Sequence, residues 1–289
     1  MAQRLHFRAA ISGVTLDAVC FVMLFGTTFA TASENQWKSG LDLIPVFARE
    51  VNKRIAMSDE ERLSYTRSLD RALSDAGNAA LSAQFVVLVD RDPYSQVAVL
   101  LWRSESSISY FIGASPVSTG KPGTFEHFAT PVGVFEHSLA NPDFRAEGTP
   151  NEFGVRGYGA KGMRVYDFGW VRTTRGWGTP VETLMRLQMH ATDPRLLEPR
   201  LGAPTSKGCI RIPATLNHFL DHYGALDADY DRAMREGKRR FWVLPPDRNP
   251  TPWSGRYLVV IDSMRTTPPS WRQHPASALL PRLPAAGAG

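Results

Sequence analysis

The sequence predicts a mainly β domain with flanking helices, which is an α+β fold. From Gln84 onward, apolar runs of strand length alternate with turn-rich segments. Residues 85–89 and 97–102 are two such runs, and residues 90–95 between them have a turn composition. Before Gln84, apolar residues recur at helical spacing instead. The chain has 289 residues, 43% of them hydrophobic, which is enough for one sizeable core with extensions.

Residues 1–32 have the composition of a secretory signal peptide. A basic start is followed by an apolar run at residues 18–26 and then by Ala-Thr-Ala at residues 30–32, the small-x-small pattern that precedes cleavage. Asp17 shortens the apolar stretch below the ~20 residues of a membrane-spanning helix. We therefore expect an exported, periplasmic protein, with an uncleaved membrane anchor as the alternative.

A helical extension is predicted for residues 33–83. Ser58 and Glu61 have the spacing of a capping box, in which side chains satisfy the free N–H groups at a helix start. Leu69 and Leu73 then begin an apolar stripe at helical spacing. Such an extension either packs on the main domain or holds it away from a membrane, and the sequence leaves both readings open.

The main domain is predicted for residues 84–263, followed by a disordered tail rich in Pro and Ala at residues 264–289. Residues 141–178 show no regular period, and we expect them to form a long ordered loop with a functional role. The apolar pattern predicts a helix at residues 213–223 and further strands at residues 108–112, 181–190, 241–244 and 257–261.

Charge and motifs argue against several functional classes. The net charge of +5 is spread along the chain without a basic stripe, so we expect no nucleic-acid partner. The chain lacks the Gly-x-Ser-x-Gly elbow of serine hydrolases and the glycine-rich loop that binds phosphate. His218 and His222 have a metal-ligand spacing, but Phe219 stands where a zinc protease needs Glu and no third ligand is evident. We therefore expect neither a metal nor another cofactor.

Cys209 is the thiol that remains once the segment containing Cys20 is removed. A lone thiol cannot form an intramolecular disulfide, and a structural free cysteine is usually buried among apolar residues. Cys209 instead lies in a polar, glycine-containing turn with Lys207 and Arg211 nearby, ahead of the predicted helix. Cations and a helix N-terminus stabilise a thiolate, so we expect a reactive nucleophile.

His190 is the candidate base for this thiol. In the strand predicted at residues 181–190, Met185, Leu187 and Met189 share the apolar face. His190 lies on the opposite face with Arg186, so it is expected to point to solvent or a polar cleft. Spacing alone does not establish a Cys–His pair, because cysteine enzymes bring their histidine from elsewhere in the chain.

Other aromatic and basic residues have two open interpretations. His127 and His137 border the turn at residues 130–131 and either lie near the cleft or are ordinary exposed loop histidines. A larger set either lines a substrate groove or serves core packing and the solvated surface. That set is Tyr158, Lys161, Arg164, Tyr166, Phe168, Trp170, Arg172, Arg175 and Trp177.

The cysteine turn also carries a resemblance. Ser-Lys-Gly-Cys-Ile-Arg at residues 206–211, preceded by His190, resembles the active-site signature of the bacterial L,D-transpeptidase catalytic domain. Val-Ser-Thr-Gly-Lys at residues 117–121 and Thr-Pro-Val-Gly-Val-Phe at residues 130–135 resemble a turn and a strand of the same family. The resemblance covers roughly residues 84–246, in the family's order.

The resemblance implies an L,D-transpeptidase-like β-sandwich that acts on peptidoglycan stem peptides as donor and acceptor. The thiol would attack the carbonyl between the diamino-acid third residue and the terminal D-alanine, leaving a thioester. A second stem or the lysine of a wall-linked lipoprotein would then take the acyl group. With water as the acceptor, the same site would be an L,D-carboxypeptidase or a crosslink hydrolase. A non-catalytic peptidoglycan-binding module is the third alternative.

The resemblance also implies a role for each motif residue. The implied roles are Cys209 as nucleophile, His190 as proton donor and acceptor, and Gly208 and Lys207 in the oxyanion turn. Ser206 would shape the turn or contact substrate, and Arg211 would order the turn or bind a stem carboxylate. Two positions depart from the family's pattern. Ala191 stands where glycine commonly follows the histidine, and Lys207 stands where histidine is frequent. Both departures put the fine substrate preference in doubt.

Overall fold

Two β-sheets form the framework of the chain. The computed structural model describes residues 36–237, 240–273 and 279–280. The predicted signal peptide at residues 1–32 and most of the predicted tail at residues 264–289 lie outside the described residues. All elements named below belong to one structural unit, which begins at Trp37. Among the described helices, none has the length and hydropathy needed to span a bilayer.

The helices and strands follow in chain order. They are α1 (Leu43–Glu50), β1 (Arg54–Ile55), α2 (Asp59–Asp75), β2 (Gln84–Asp90), β3 (Val97–Arg103), β4 (Ser109–Pro116), β5 (Gly133–Glu136), β6 (Phe144–Arg145), β7 (Arg164–Thr174), β8 (Glu182–Ala191), β9 (Ile210–Ile212), α3 (Ala214–His222), α4 (Ala228–Arg235), β10 (Tyr257–Ile261), α5 (Ser270–Gln273) and β11 (Leu279–Leu280). Short 3-10 helices lie at Gly40–Asp42 and Glu198–Arg200.

One sheet has five strands in the order β4-β3-β2-β10-β5, and the other has four in the order β6-β7-β8-β9. The pairs β2–β10 and β8–β9 are parallel, and the remaining pairs in both sheets are antiparallel. Val87 and Val89 of β2 belong to the same buried cluster as Leu187 and Met189 of β8, so the two sheets share one core. The predicted α+β class, mainly β with flanking helices, is confirmed.

The helices of the N-terminal extension pack on the sheets. The capping box predicted at the start of α2 is present, with the Glu61 amide donating to Ser58 Oγ and the Ser58 amide donating to Glu61 Oε2. Leu69 and Leu73 are buried in a cluster with Val86 of β2. Residues 37–83 therefore contribute to the cores of the main domain. Of the two alternatives for the extension, packing on the main domain is the one that the structure shows.

The structure corrects two predicted segments of the main domain. Residues 241–244 form a turn and not a strand, because Phe241 and Val243 pack in a local cluster beside α4. Residues 141–178 are not one loop, since they contain β6 and the eleven-residue strand β7. A register shift between Asp167 and Trp170 breaks the alternation of β7, which hides the strand in the sequence.

The first part of the predicted tail is also ordered. Ser270–Gln273 forms the short helix α5, and its Trp271 is buried against Tyr65 of α2. The backbone of Leu279–Leu280 pairs with β1. An indole that packs on the core explains why this stretch departs from the disorder that its composition predicts.

A buried ionic cluster surrounds Arg164, the first residue of β7. Arg164 is fully buried, with Nε 2.7 Å from Asp143 Oδ2 and Nη2 2.6 Å from Asp227 Oδ1. His137, also fully buried, places Nε2 2.8 Å from Asp143 Oδ1. Neither residue lines a groove, so the exposed-loop interpretation of His137 and the groove interpretation of Arg164 are wrong. Buried charges are tolerated here because each finds a partner of opposite sign.

Candidate active site

The parallel pair β8–β9 places Cys209 and His190 on the same face of the four-stranded sheet. The register pairs Met189 with Ile210 and His190 with Arg211, which brings Cys209 level with Gln188. Because side chains alternate along a strand, Cys209 shares its face with Gln188 and His190. This face is opposite to the one that carries Leu187 and Met189 into the core, as the alternation of β8 predicts.

The turn of Cys209 leads into a strand and not directly into a helix. β9 intervenes between Cys209 and α3, which begins at Ala214. The expectation that a helix N-terminus stabilises the sulfur is therefore wrong. The Cys209 Sγ–H donates instead to the Arg186 carbonyl of β8 at 3.8 Å, and the side chain is half-buried.

His190 is held as a neutral base. Its imidazole is 5% exposed, and Nδ1 lies 2.5 Å from the Ala191 carbonyl oxygen. A carbonyl only accepts hydrogen bonds, so Nδ1 carries the proton and Nε2 keeps its lone pair. Burial and the charge of Arg211 together lower the pKa of His190 to about 4, against the opposing effect of the Ala191 carbonyl.

Cys209 is a thiol at neutral pH. Burial raises the pKa of Cys209 above its usual value, while the backbone amide of Gln188 and the charge of Arg211 lower it by less. The exposed Lys207, expected to favour the thiolate, forms an ion pair with Glu126 at 3.2 Å. Burial therefore outweighs the cations that were expected to favour the thiolate. A neutral thiol and a neutral imidazole on one face can react when the imidazole takes the proton as the sulfur attacks.

Ser206 and Gly208 shape the turn from inside. Buried Ser206 donates from Oγ to the Cys209 carbonyl at 2.6 Å and accepts from the Gly208 amide at 3.0 Å. Ser206 therefore shapes the turn, one of its two expected roles, and the Gly208 amide is already engaged. Gly208 has φ +137°, and a Cβ there would lie 2.7 Å from Met185 Cε. Only glycine fits this position without strain.

The two upstream motifs, at residues 117–121 and 130–135, form hydrogen bonds with the cysteine turn. The Thr119 carbonyl accepts from the Ser206 amide at 3.0 Å. Thr130 Oγ1 donates to the Gly208 carbonyl at 2.6 Å and accepts from the Gly120 amide at 2.8 Å. The sequence indicated residues 117–121 and 130–135 only through a resemblance, and these hydrogen bonds give them a physical role as supports of the cysteine turn.

Arg211 has a partner in the turn as well. Its Nη1 donates to the Thr205 carbonyl at 3.2 Å, which ties the end of β9 to the residues before Cys209. Burial lowers the pKa of Arg211, and the nearby sulfur of Cys209 counteracts this. The guanidinium thus lies within electrostatic reach of both Cys209 and His190.

A polar network that the sequence did not reveal surrounds the pair. Asp167, 1% exposed, accepts from Arg186 Nε at 2.7 Å and from Gln188 Nε2 at 2.9 Å. Gln188 Oε1 accepts from the hydroxyl of Tyr158 at 3.0 Å, and the Tyr158 ring contacts the imidazole of His190 edge-on at 4.7 Å. The alternation of β8 already placed Arg186 and Gln188 on this face. Asp167 was hidden because its strand did not show in the sequence.

The remaining groove candidates divide between the two interpretations. Tyr158 borders the site and Trp170 is 65% exposed on the same sheet, whereas Tyr166 and Phe168 are core residues. Trp177 packs against Phe128. The basic members are mostly at the surface: Lys161 is exposed, Arg172 pairs with Glu182, and Arg175 lies over the ring of Trp177.

Residues 36–237, 240–273 and 279–280 contain no group of three or more His, Cys, Asp or Glu arranged to hold a metal ion. His218 is exposed on α3 and His222 packs against Tyr223. The expectation that the chain uses no cofactor stays a prediction.

Comparisons with known proteins give one weak likeness to report. No protein-family model and no curated protein matches the chain. Among solved structures, a point mutant of the helical cell shape determining protein Pgp2 from Campylobacter jejuni is 12% identical, with a TM-score of 0.28. The likeness covers 78% of this chain and 55% of that one, so the chain spans about half the length of that protein. A superposition at this level assigns neither a fold family nor an activity to the chain.

Proposed function

We propose that the protein is a cysteine-dependent L,D-transpeptidase that acts on peptidoglycan stem peptides. The observation that carries this proposal is the shared polar face of β8 and β9, on which Cys209 lies level with Gln188, one alternation from His190. The imidazole is oriented by the Ala191 carbonyl, as a general base requires. The resemblance of residues 206–211 to the family signature supports the substrate class.

In the acylation step, His190 Nε2 takes the thiol proton while Cys209 Sγ forms a bond to the carbonyl carbon of the third stem residue. The C–N bond to the terminal D-alanine then breaks, and the imidazolium returns its proton to the leaving amine. The products are free D-alanine and a thioester on Cys209. No redox change or additional reactant is needed.

In the second step, an acceptor amine attacks the thioester carbonyl and loses its proton to His190. The C–S bond breaks, the thiolate recovers the proton, and a new amide joins two stems or a stem and a lipoprotein lysine. The positive charge of Arg211, which already lowers the pKa of the thiol, would stabilise negative charge near the sulfur in both steps. The Gly208 amide would contribute only after releasing Ser206 Oγ.

The test is product analysis on purified muropeptides by mass spectrometry. Transpeptidation predicts crosslinked dimers with one D-alanine released per bond formed. Water as the acceptor predicts tripeptides alone, which would make the protein a carboxypeptidase; cleaved dimers would indicate a crosslink hydrolase. Cys209→Ala should abolish every product, and Lys207→Ala, which removes a neighbouring exposed side chain, should not. Unchanged muropeptides with the wild-type protein would leave only a binding module.

The substrate also bears on localisation. Peptidoglycan lies outside the cytoplasm, so we propose that residues 1–32 direct export and that the protein works in the periplasm. N-terminal sequencing of the protein recovered from the periplasmic fraction would test this, with Ser33 expected as the first residue. A chain recovered from membranes with Met1 retained would indicate the anchor instead.

A further inference from the structure

A second guanidinium, that of Arg186, lies on the face that carries the cysteine. Arg186 lies two residues before Gln188 on β8 and so shares its face, and the Arg186 carbonyl accepts from the Cys209 thiol. Its side chain is 42% exposed, in contrast to the buried His190. A solvent-borne ligand can therefore reach this guanidinium near the sulfur.

Asp167 fixes the orientation of this guanidinium. Its buried carboxylate accepts from Arg186 Nε at 2.7 Å, and it is itself held by Gln188 Nε2 and by the Gly169 amide. Among the described residues, Nε is the only side-chain nitrogen of Arg186 with a hydrogen-bond partner. The two Nη groups remain open, and together they match the two oxygens of a carboxylate.

The local charges favour an anionic ligand. Arg186 and Arg211 contribute two positive charges, and Asp167 contributes one negative charge. Cys209 and His190 are both neutral at pH 7, because burial raises the pKa of the thiol and lowers that of the imidazole. The balance next to the sulfur is therefore positive.

An apolar surface lies next to the open guanidinium. Trp170 of β7 is the register partner of Arg186, and its indole is 65% exposed. A ligand that pairs with the Nη groups would meet this ring with its aliphatic part. The combination suits an amino-acid side chain with a hydrocarbon stem and a terminal carboxylate.

We propose that Arg186 binds the free carboxylate on the side chain of the diamino-acid third residue, the residue whose carbonyl Cys209 attacks. Arg186 is then a specificity-determining residue that selects donor stems with this carboxylate over stems in which it is an amide. This inference rests on the proposed function, because it names a substrate group at the same site.

The experiment compares two synthetic tetrapeptide donors that differ only in this group, carboxylate or carboxamide. A charge-assisted bidentate pair predicts a wild-type preference for the carboxylate of roughly 10- to 100-fold in kcat/KM, mainly through KM. Arg186→Gln should reduce the preference to about 1 to 3-fold. Each protein is compared with itself on two peptides, so a partly unfolded variant still gives a valid ratio.

Arg172→Gln is the matched control. Arg172 pairs with Leu184, one alternation farther from Cys209 on the same face, and its guanidinium is already paired with Glu182. This variant should keep the wild-type preference. Loss of the preference in Arg172→Gln but not in Arg186→Gln would overturn the assignment, as would a wild-type protein without any preference.

Binding separates this inference from the proposed function. In Cys209→Ala, which cannot turn over, fluorescently labelled carboxylate peptide should bind at least 10-fold more tightly than the carboxamide, and the added change Arg186→Gln should remove the difference. Selective binding without any wild-type turnover would retain the carboxylate site and reject the enzyme. Turnover with equal binding of both peptides would reject the carboxylate site alone.

Discussion

Raising the pH should activate the Cys209 thiol steadily, because the resting site holds a thiol and an imidazole and not an ion pair. Burial raises the pKa of Cys209 above its ordinary value of 9.0, and burial lowers the pKa of His190 to about 4. The perturbation is therefore a pH series from 5 to 9.5 with iodoacetamide, which reacts with the thiolate.

The expected magnitude follows from the populations. A thiol with a pKa of 9.0 is about 1% thiolate at pH 7, and Cys209 should be below that fraction. The rate of alkylation should rise about tenfold per pH unit over the series. A preformed thiolate–imidazolium pair would instead react roughly 100-fold faster at pH 7 and would show a plateau above pH ~5.

The assay follows the mass of the peptide that contains Cys209, which separates it from any modification of Cys20. Removing the charge of Arg211 with Arg211→Gln should raise the thiol pKa and slow alkylation at pH 8, since Arg211 lowers the pKa of Cys209. Lys207→Gln should change little, because Lys207 is paired with Glu126. A flat alkylation rate between pH 5 and 8 would refute the neutral-pair reasoning.

Three further outcomes are expected. The folded-state pKa of His190, about 4, lies below its unfolded value of 6.5, so the free energy of unfolding should fall by about 3 kcal/mol as the pH drops from 6.5 to 4. Urea unfolding at several pH values measures this loss, and the loss should be smaller in His190→Gln. Burial opposes the charged form of His137, but Asp143 raises the pKa of His137 overall, so the protonated imidazole stabilises the fold below pH 6.5 and this contribution is lost as the pH rises through the raised pKa. The same pH dependence of the free energy of unfolding in Asp143→Asn would contradict this. Thr130→Val should lower kcat about tenfold or more, because the Gly208 carbonyl loses its hydrogen bond from Thr130 Oγ1, whereas Thr130→Ser keeps the hydroxyl and most of the rate. Equal turnover in both variants would show that Thr130 does not support the turn.

The sequence was sufficient where a short-range pattern decides the structure. The alternation of Met185, Leu187 and Met189 fixed which face of β8 carries His190, and the Ser58–Glu61 spacing fixed the start of α2. The α+β class followed from the change of period near Gln84. Each of these features depends on neighbours within a few residues, so no tertiary information was needed.

The features that the sequence missed depend on long-range partners. Arg164 and Asp167 are polar residues inside β7, and they are buried because Asp143, Asp227 and Gln188 meet them from other segments. The acidity of Cys209 was wrongly predicted for the same reason, since burial by distant elements outweighs the cations beside it in sequence. Charges that neighbour a thiol in sequence do not predict its pKa once one of them, here Lys207, is paired with another residue.

The most direct test of catalysis by the Cys209–His190 face is the intact mass of the protein, quenched with acid within its first turnover of a stem tetrapeptide. We expect a thioester adduct equal to the donor minus D-alanine, mapped to Cys209, with one D-alanine released per adduct. His190→Ala should form it much more slowly and Cys209→Ala not at all. Release of D-alanine that persists in Cys209→Ala, or an adduct on another residue, would contradict the assignment of this site.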